Sequence, residues 1–218
     1  MERFVSAPAN IPVQVFLVDD EVGVTDALSW LLESVKIPSR AFHSASAFLS
    51  ALDRFDGPAC AVLDLRMPEM SGLELQHRLA EAGHDLPLIF LTAHGDVPAA
   101  VNAMQAGAVD FVQKPFNPNA FLASVRRAIQ QARERFEART ADRELQRRIA
   151  QLSAREVEVF RGLLDGRTSK EIARSLEISP KTVDVHRANV MRKMGAATSA
   201  ELVRMVGRAP GVSSAARR

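Results

Sequence analysis

The feature that most constrains the fold is the alternation of short apolar runs with helix-like segments over the first 125 residues. The apolar runs occupy residues 13–18, 39–42, 59–63, 86–91 and 109–112, the second being the weakest. Runs that are apolar at nearly every position suit strands buried on both faces of a parallel sheet. Between them, apolar residues recur at helical spacing, as in the stripe Val24, Leu28, Leu31 and Val35. Five strand–helix repeats predict an α/β fold, a doubly wound five-stranded parallel sheet with right-handed crossovers.

The chain changes character after this region, because residues 151–208 contain no strand pattern and indicate four helices. Ser153 and Glu156 form a capping box at the start of the first helix. The predicted core face of that helix consists of Val157, Phe160, Leu163 and Leu164. The second helix is expected over residues 169–176, the third over 180–194 with Gly195 as its stop, and the fourth over 198–206.

A segment dense in Arg, Glu, Gln and Ala, without Gly or Pro, joins the two regions and predicts one continuous helix over residues 126–151. Leu145, Ile149 and Leu152 form a short apolar seam on it, which could pair with a second copy or lie exposed on a connecting helix. The predicted organisation is a first domain at 12–130, a charged helical linker at 131–150, a helical domain at 151–208 and a flexible tail at 209–218.

Charge divides the chain near the same place. Residues 1–125 carry 7 basic and 15 acidic side chains, a net charge of −8, whereas residues 126–218 carry 21 and 11, a net charge of +10. A basic half is a candidate for binding a polyanion such as DNA, although a solvated basic helix without a partner has the same composition.

The composition also bears on location. No apolar run is long enough to cross a bilayer, and residues 1–10 lack the apolar core of a secretory signal. The single cysteine, Cys60, lies in an apolar run and is expected to be a buried, unreactive thiol. These features predict a cytoplasmic protein without a membrane partner.

Polar side chains follow four of the five predicted strands directly. Asp19 and Asp20 follow the first strand, Asp64 the third, Thr92 the fourth and Lys114 the fifth. Because the carboxyl ends of parallel strands share one sheet edge, these residues are expected to converge. Clustered carboxylates favour Mg²⁺, and a carboxylate beside such a cation can attack a phosphoryl group. Taken singly, the acids after the first strand could instead cap the first helix, and Lys114 could be an ordinary surface lysine.

Four segments, LVDDE, VLDLRMPEMSGLEL, LTAHGDVPAAVNAMQAGAVDF and VQKPF, make this interpretation specific. They resemble the receiver domains of response regulators of the NarL/FixJ family, and most closely the FixJ-like branch. The resemblance covers about residues 12–130 and implies the flavodoxin-like strand order 2-1-3-4-5.

By this resemblance, Asp64 is the phosphoacceptor. The resemblance also implies a Mg²⁺ site in which Asp20 binds directly, Asp19 directly or through water, and the backbone carbonyl of Arg66 completes the ligand set together with Asp64. Thr92 is expected to donate its hydroxyl to the phosphoryl group and Lys114 to pair with it.

Two further features of receiver domains have counterparts here. Phe111 stands where many receivers carry a switching Tyr, and it lacks a hydroxyl that could be anchored. Lys114–Pro115 lies where such domains often have a cis peptide bond, which proline permits.

The segment LSAREVEVFRGLLDGRTSKEIARSLEISPKTVDVHRANVMRKMGA resembles the LuxR-type helix-turn-helix. That motif places its second helix, here residues 180–194, in the major groove of DNA. The side of this helix assigned to the groove comprises Lys181, Asp184, Val185, Ala188 and Arg192. Contacts to phosphate are assigned to Lys170, Thr182, Arg187 and Lys193. The alternative is a four-helix module that binds protein rather than DNA.

Together these resemblances imply a transcriptional regulator that is phosphorylated by a sensor histidine kinase, dimerises through its receiver and binds double-stranded DNA. RNA polymerase is a candidate further partner. The chain is not expected to be an enzyme beyond accepting a phosphoryl group and slowly losing it.

Two alternatives remain open: an aspartyl-phosphate phosphatase, which places a second Asp two residues after the nucleophile, and a receiver that is never phosphorylated and serves only for dimerisation. The second Asp is absent here, because Asp19 is followed by Asp20, Glu21 and Val22.

Overall fold

The computed structural model describes residues 11–93 and 97–207 and divides the chain into two compact units, with the boundary between Glu137 and Ala138. The predicted tail at 209–218 lies outside the described residues. No helix in the described part of the chain is long and apolar enough to span a membrane.

The first unit contains a five-stranded sheet and five helices that alternate with its strands. The strands are β1 (Gln14–Val18), β2 (Ser39–Phe42), β3 (Ala59–Asp64), β4 (Leu88–Thr92) and β5 (Asp110–Gln113). The helices are α1 (Val22–Ser34), α2 (Ala45–Leu52), α3 (Gly72–Glu81), α4 (Val97–Gln105) and α5 (Pro118–Ala150), the last extending into the second unit. The strands pair in the order β2-β1-β3-β4-β5, all parallel. The predicted doubly wound sheet is confirmed.

Each central strand sends alternate side chains to two separate cores. In β1, Phe16 and Val18 join the core beneath α2, α3 and α4, whereas Val15 and Leu17 join the core beneath α1 and α5. This two-sided burial is the reason that the strands are apolar at nearly every position. Cys60 lies fully buried in the second of these cores, and burial raises the pKa of its thiol to about 12, as expected for an unreactive cysteine.

The second unit is helical in its described part. Its helices are α6 (Ala154–Leu164), α7 (Ser169–Leu176), α8 (Pro180–Met194) and α9 (Ser199–Gly207). The Ser153–Glu156 capping box is present, and Gly195 ends α8 in the left-handed conformation at φ 69°. The predicted core face of α6 needs one correction, because Val159 is buried with Phe160 and Leu163, while Val157 and Leu164 are only partly buried.

The apolar seam at the end of α5 has neither of the two predicted environments. Leu145 and Leu152 are buried in the core of the second unit, and Ile149 packs against it. The seam therefore covers the helices of its own chain and is neither an exposed surface nor available for a second copy. The predicted linker at residues 131–150 remains a prediction. The boundary between the two units lies within α5.

Candidate functional site

Two carboxylates and one ammonium group meet at the carboxyl edge of the sheet. Asp19 follows β1, Asp64 ends β3 and Lys114 follows β5. Lys114 Nζ lies 2.8 Å from Asp19 Oδ2 and 3.1 Å from Asp64 Oδ1. Both carboxylates are buried, and a buried carboxylate is stable only with a charged or hydrogen-bonding partner. Lys114 supplies that partner to both.

Backbone amides hold the other oxygen of each carboxylate. Asp19 Oδ1 accepts from the N–H of Glu21 at 2.9 Å, and Asp64 Oδ2 accepts from the N–H of Arg66 at 2.7 Å. The alternative that these acids cap α1 is not what the structure shows, because its N-cap residue Glu21 makes no side-chain bond and its first turn contains no acid. Asp19 and Asp64 are instead oriented toward one another with Lys114 between them.

The electrostatic balance of this cluster is uneven. Burial raises the pKa of Asp64, although the Arg66 N–H and the Lys114 ammonium both oppose the shift. Burial on its own would lower the pKa of Lys114, but the carboxylates of Asp19 and Asp64 outweigh it and raise that pKa. Burial thus dominates at Asp64, whereas both acids hold the ammonium group of Lys114 in its charged form.

The structure does not gather all of the predicted metal ligands. Asp20 is exposed, and within residues 11–93 and 97–207 no three His, Cys, Asp or Glu side chains are placed to hold a metal ion. The predicted convergence of three carboxylates is thus found for Asp19 and Asp64 only. The physical reason is that neighbouring carboxylates repel one another, so Asp20 is exposed to solvent while Lys114 pairs with the buried two. Arg66 contributes its N–H to Asp64, and its predicted carbonyl contact stays a prediction.

The two predicted switch residues lie close to this network. Thr92 is buried at the end of β4, and its carbonyl accepts from the N–H of Lys114 at 2.7 Å. Phe111 on β5 is partly buried, and its ring stacks on that of Phe90 with centroids 6.3 Å apart. The Lys114–Pro115 peptide bond is cis, as predicted.

Gly72 is a residue of the pocket that sequence reasoning did not single out. A Cβ at this position would lie 2.3 Å from the backbone oxygen of Asp64 and 3.0 Å from the Phe90 ring, so the first turn of α3 approaches β3 as only glycine allows. Ser71 and Glu74 form a capping box that fixes the start of α3 at this point. The sequence does show Ser71 and Gly72 at the start of a helix, with Glu74 three residues after Ser71. The contact between Gly72 and Asp64 depends on the tertiary structure and has no signal in the local sequence.

In the second unit, α7 and α8 form a helix–turn–helix. Thr168 caps α7 with a capping box to Glu171, and Ser179 caps α8, whose first residue is Pro180. Glu177 connects the two helices in the left-handed conformation at φ 56°. The apolar side of α8, Val183, Val190 and Met194, is buried against the other helices.

The opposite side of α8 faces solvent. Each of the five residues assigned to a groove is exposed: Lys181, Asp184, Val185, Ala188 and Arg192. Val185 is 58% exposed, whereas Val183 and Val190 on the same helix are fully buried. This side therefore presents a basic and partly apolar surface to solvent.

The four predicted phosphate contacts differ in their surroundings. Lys170 is exposed, and Thr182 is exposed with its hydroxyl 2.8 Å from that of Ser179. Arg187 donates to Ser199 Oγ at 3.1 Å and is partly buried. Lys193 is engaged inside the domain, with its ammonium 2.6 Å from Glu156 Oε2, a pairing across 37 residues that local sequence could not reveal.

Comparison with known proteins gives the same two-part division. The family model described as the response regulator receiver domain matches residues 15–126, and that of bacterial regulatory proteins of the luxR family matches residues 150–206. The chain is 46% identical to the transcriptional regulatory protein FixJ of Azorhizobium caulinodans, covering 91% of this chain and 92% of that one. It belongs to the response regulator family.

Other relatives extend over nearly the whole regulator. It is 42% identical to the response regulator protein TmoT of Ectopseudomonas mendocina, over 89% of this chain and 88% of TmoT. Its structure is similar to that of the response regulator StyR, with a TM-score of 0.80 at 39% identity, covering 91% of this chain and all of StyR. It is also similar to full-length FixJ from B. japonicum, with a TM-score of 0.56 at 40% identity over 92% of this chain.

The regulator thus combines a receiver domain with a LuxR-type DNA-binding domain, the composition of a phosphorylation-regulated transcription factor. A receiver domain implies a histidine kinase as partner, and a LuxR-type domain implies binding to DNA. The family is one of transcriptional regulators and not of classical enzymes.

Proposed function

We propose that a sensor histidine kinase phosphorylates Asp64 and that this modification controls the binding of promoter DNA by α8. The observation that supports the proposal best is the buried network in which Lys114 bridges Asp19 and Asp64. It provides a nucleophilic carboxylate, a neighbouring cation and a second carboxylate at one edge of the sheet.

In the transfer step, an oxygen of Asp64 forms a bond to phosphorus while the bond between phosphorus and the kinase histidine breaks. Lys114 then pairs with the phosphoryl oxygens in place of its bond to Asp64, 3.1 Å long before transfer. The Thr92 hydroxyl donates to another phosphoryl oxygen. Slow hydrolysis of the acyl phosphate returns the regulator to its starting state.

The donor set fits Mg²⁺, which receiver domains of this kind generally bind. Carboxylate oxygens of Asp19, Asp20 and Asp64 and the carbonyl oxygen of Arg66 are hard ligands of the type that Mg²⁺ prefers. When bound, Mg²⁺ neutralises charge on the transferring phosphoryl group. Asp20, exposed at the rim of the pocket, is the residue that must turn inward to complete the set.

The modified pocket changes the surface beside it. Movement of Thr92 toward the phosphoryl group leaves space into which Phe111, now stacked on Phe90, repacks. This reshapes the face formed by α4, β5 and the start of α5, where Val97, Val101 and Met104 are exposed. Two phosphorylated receivers pair through this face, which brings two DNA-binding domains to adjacent half-sites.

On DNA, α8 lies in the major groove with Lys181, Asp184, Val185, Ala188 and Arg192 toward the bases. Lys170, Thr182 and Arg187 are assigned to phosphates, which position the helix without reading sequence. The supporting observation is that the apolar side of α8 is buried and the assigned side is exposed. The regulator acts in the cytoplasm, where RNA polymerase is its candidate further partner.

The test compares the parent with Asp64→Asn. Treatment with acetyl phosphate and Mg²⁺ labels the parent at position 64, converts it to a dimer and strengthens its binding to DNA fragments recovered by genome-wide capture. The Asp64→Asn variant shows none of these responses. Asp26→Asn, which changes an exposed acid on α1, responds as the parent does.

Two results would contradict the proposal. If the parent and Asp64→Asn bind DNA equally with and without donor, the receiver serves only for dimerisation. Sustained hydrolysis of a generic phosphoester by the parent would identify a phosphatase instead.

A further inference from the structure

Lys193 stands in the last turn of α8, but its ammonium group faces the interior of the second unit. Its Nζ lies 2.6 Å from Glu156 Oε2 and 3.0 Å from the backbone carbonyl of Gln151. These two acceptors flank the junction at which α5 ends and α6 begins. One side chain thus joins the C-terminal end of α8 to that junction.

Glu156 cannot readily give up this partner. Its side chain is 6% exposed, and the same oxygen that pairs with Lys193 also accepts from the N–H of Ser153 at 2.7 Å. Lys193 and Ser153 lower the pKa of Glu156 to about 2, so the carboxylate is charged near neutral pH. Removing one member of a buried ion pair leaves an uncompensated charge, which is strongly destabilising. A phosphate contact by Lys193 would require that loss.

A second bond from α5 reaches the same end of α8. Arg148 Nη1 donates to the backbone carbonyl of Met194 at 2.8 Å, where the last carbonyls of a helix lack partners and carry partial negative charge. The glycine at position 195 leaves room for this bond, because a Cβ there would lie 2.7 Å from Arg148 Nη1. Two cationic side chains, one from each helix, therefore fasten α8 to the end of α5.

Lys170 offers the opposite case in the same domain. It is also assigned to a phosphate, lies in the first turn of α7, is exposed, and forms no ion pair among the described residues. Lys170 and Lys193 thus provide a matched pair, with equal charge and the same predicted contact but with different surroundings.

We propose that Lys193 is a positioning residue that acts through Glu156 to hold α8 at the α5–α6 junction, and that it does not contact DNA. The inference rests on the proposed placement of α8 in the major groove. The sequence alone suggested a phosphate contact, because a lysine near the exposed face of a recognition helix normally binds backbone phosphates.

The experiment measures the affinity of the full-length protein for a mixed-sequence DNA duplex over a range of salt concentrations. Each phosphate contact contributes about 0.9 to the slope of log affinity against log salt concentration. Lys170→Met is expected to lower this slope by about one. Lys193→Met is expected to weaken binding while leaving the slope unchanged, because the number of neutralised phosphates stays the same.

Thermal unfolding separates the two roles independently. Glu156→Gln and Lys193→Met are each expected to lower the melting temperature of the second unit, and the double variant to lower it less than the sum of both. Glu156→Gln also keeps Lys193, so it tests the pair if Lys193→Met fails to fold. A slope lowered by about one in Lys193→Met, or an unchanged melting temperature in Glu156→Gln, would overturn the proposal. An unchanged slope in Lys170→Met would contradict the proposed phosphate contact of α7, and the melting temperatures would still decide the role of Lys193.

Discussion

At the scale of single residues, the regulator depends on charges that are buried but paired. Lys114 holds Asp19 and Asp64 in the receiver, and Lys193 holds Glu156 in the DNA-binding domain. Burying a charge is costly, and a partner with good geometry offsets most of that cost. The two lysines differ in the groups that can compete for them. Under the proposed function, a phosphoryl group on Asp64 competes for Lys114, whereas Lys193 pairs with a carboxylate that the Ser153 capping box already holds in place.

Replacing Lys114 by Met tests the receiver network. Two buried carboxylates then face one another without a cation, so the free energy of unfolding at pH 7 should fall by about 3–5 kcal/mol. Because burial raises the pKa of Asp64 above its unfolded value, lowering the pH below 7 should protonate this carboxylate in the folded state first and recover part of the loss. Urea unfolding at both pH values measures this.

The same variant gives a test of metal binding. Mg²⁺ should stabilise Lys114→Met more than it stabilises the parent, since the ion then provides the only compensation. Lys170→Met, which removes an exposed lysine from the other domain, should resemble the parent. An equal response of Lys114→Met and the parent to Mg²⁺ would argue against a metal site at these carboxylates.

At the scale of secondary-structure elements, the ends of helices set the functional geometry. Gly72 lets α3 begin in contact with the backbone of Asp64, and the Ser71 capping box fixes that start. Gly195 ends α8 beside Arg148 in the left-handed conformation at φ 69°, which favours glycine. Caps and glycines at these ends thus determine where Asp64 and the recognition helix lie.

Gly72→Ala should be much more harmful than its chemistry suggests. The added Cβ would lie 2.3 Å from a backbone oxygen that cannot move without displacing Asp64, so we expect a loss of about 2 kcal/mol or more in unfolding free energy and slower labelling by acetyl phosphate. Gly23→Ala is the control, because its Cβ meets no atom within 4 Å inside α1 and should stabilise by about 0.5–1 kcal/mol. Similar effects of the two substitutions would exclude a steric role for Gly72.

The end of α5 contributes to the core of the second unit, and shortening the side chain of Leu145 tests this contribution. Leu145 is 5% exposed in the core of the second unit, so Leu145→Ala should lower the unfolding free energy by about 2–5 kcal/mol. Arg147→Ala, an exposed neighbour, should have little effect. Sedimentation of both variants, with and without acetyl phosphate, should match the parent, whereas loss of the donor-induced dimer with unchanged stability would mean that this leucine pairs two copies.

At the scale of the whole molecule, the chain joins an acidic unit that receives the signal to a basic unit that binds the nucleic acid. Residues 1–125 have a net charge of −8 and residues 126–218 of +10. A net negative charge repels DNA, and a net positive charge favours binding to it through the release of counterions. Coupling between them requires an event that both units share, which under the proposed function is dimerisation.

Val101→Asp tests that coupling. Val101 is 46% exposed on α4, and a charge at the proposed pairing face should abolish donor-induced dimerisation and reduce the donor-induced gain in DNA affinity at least tenfold. Labelling of Asp64 should persist, because Val101 lies outside the pocket. Trp30→Ala removes a 75% exposed aromatic from α1, away from this face, and should leave dimerisation intact when acetyl phosphate is the donor. Dimerisation of Val101→Asp as in the parent would place the interface elsewhere.

The sequence by itself determined the sheet, its polar edge and the helix-turn-helix, because hydrophobic periodicity and capping residues are local signals. It predicted α7 and α8 to the residue and brought Asp19, Asp64 and Lys114 to one edge. The tertiary structure alone decided the outward turn of Asp20, the contact of Gly72 with Asp64, the burial of Leu145 and the pairing of Lys193 with Glu156. These depend on packing and charge pairing between residues distant in sequence, for which no periodicity or spacing provides a signal.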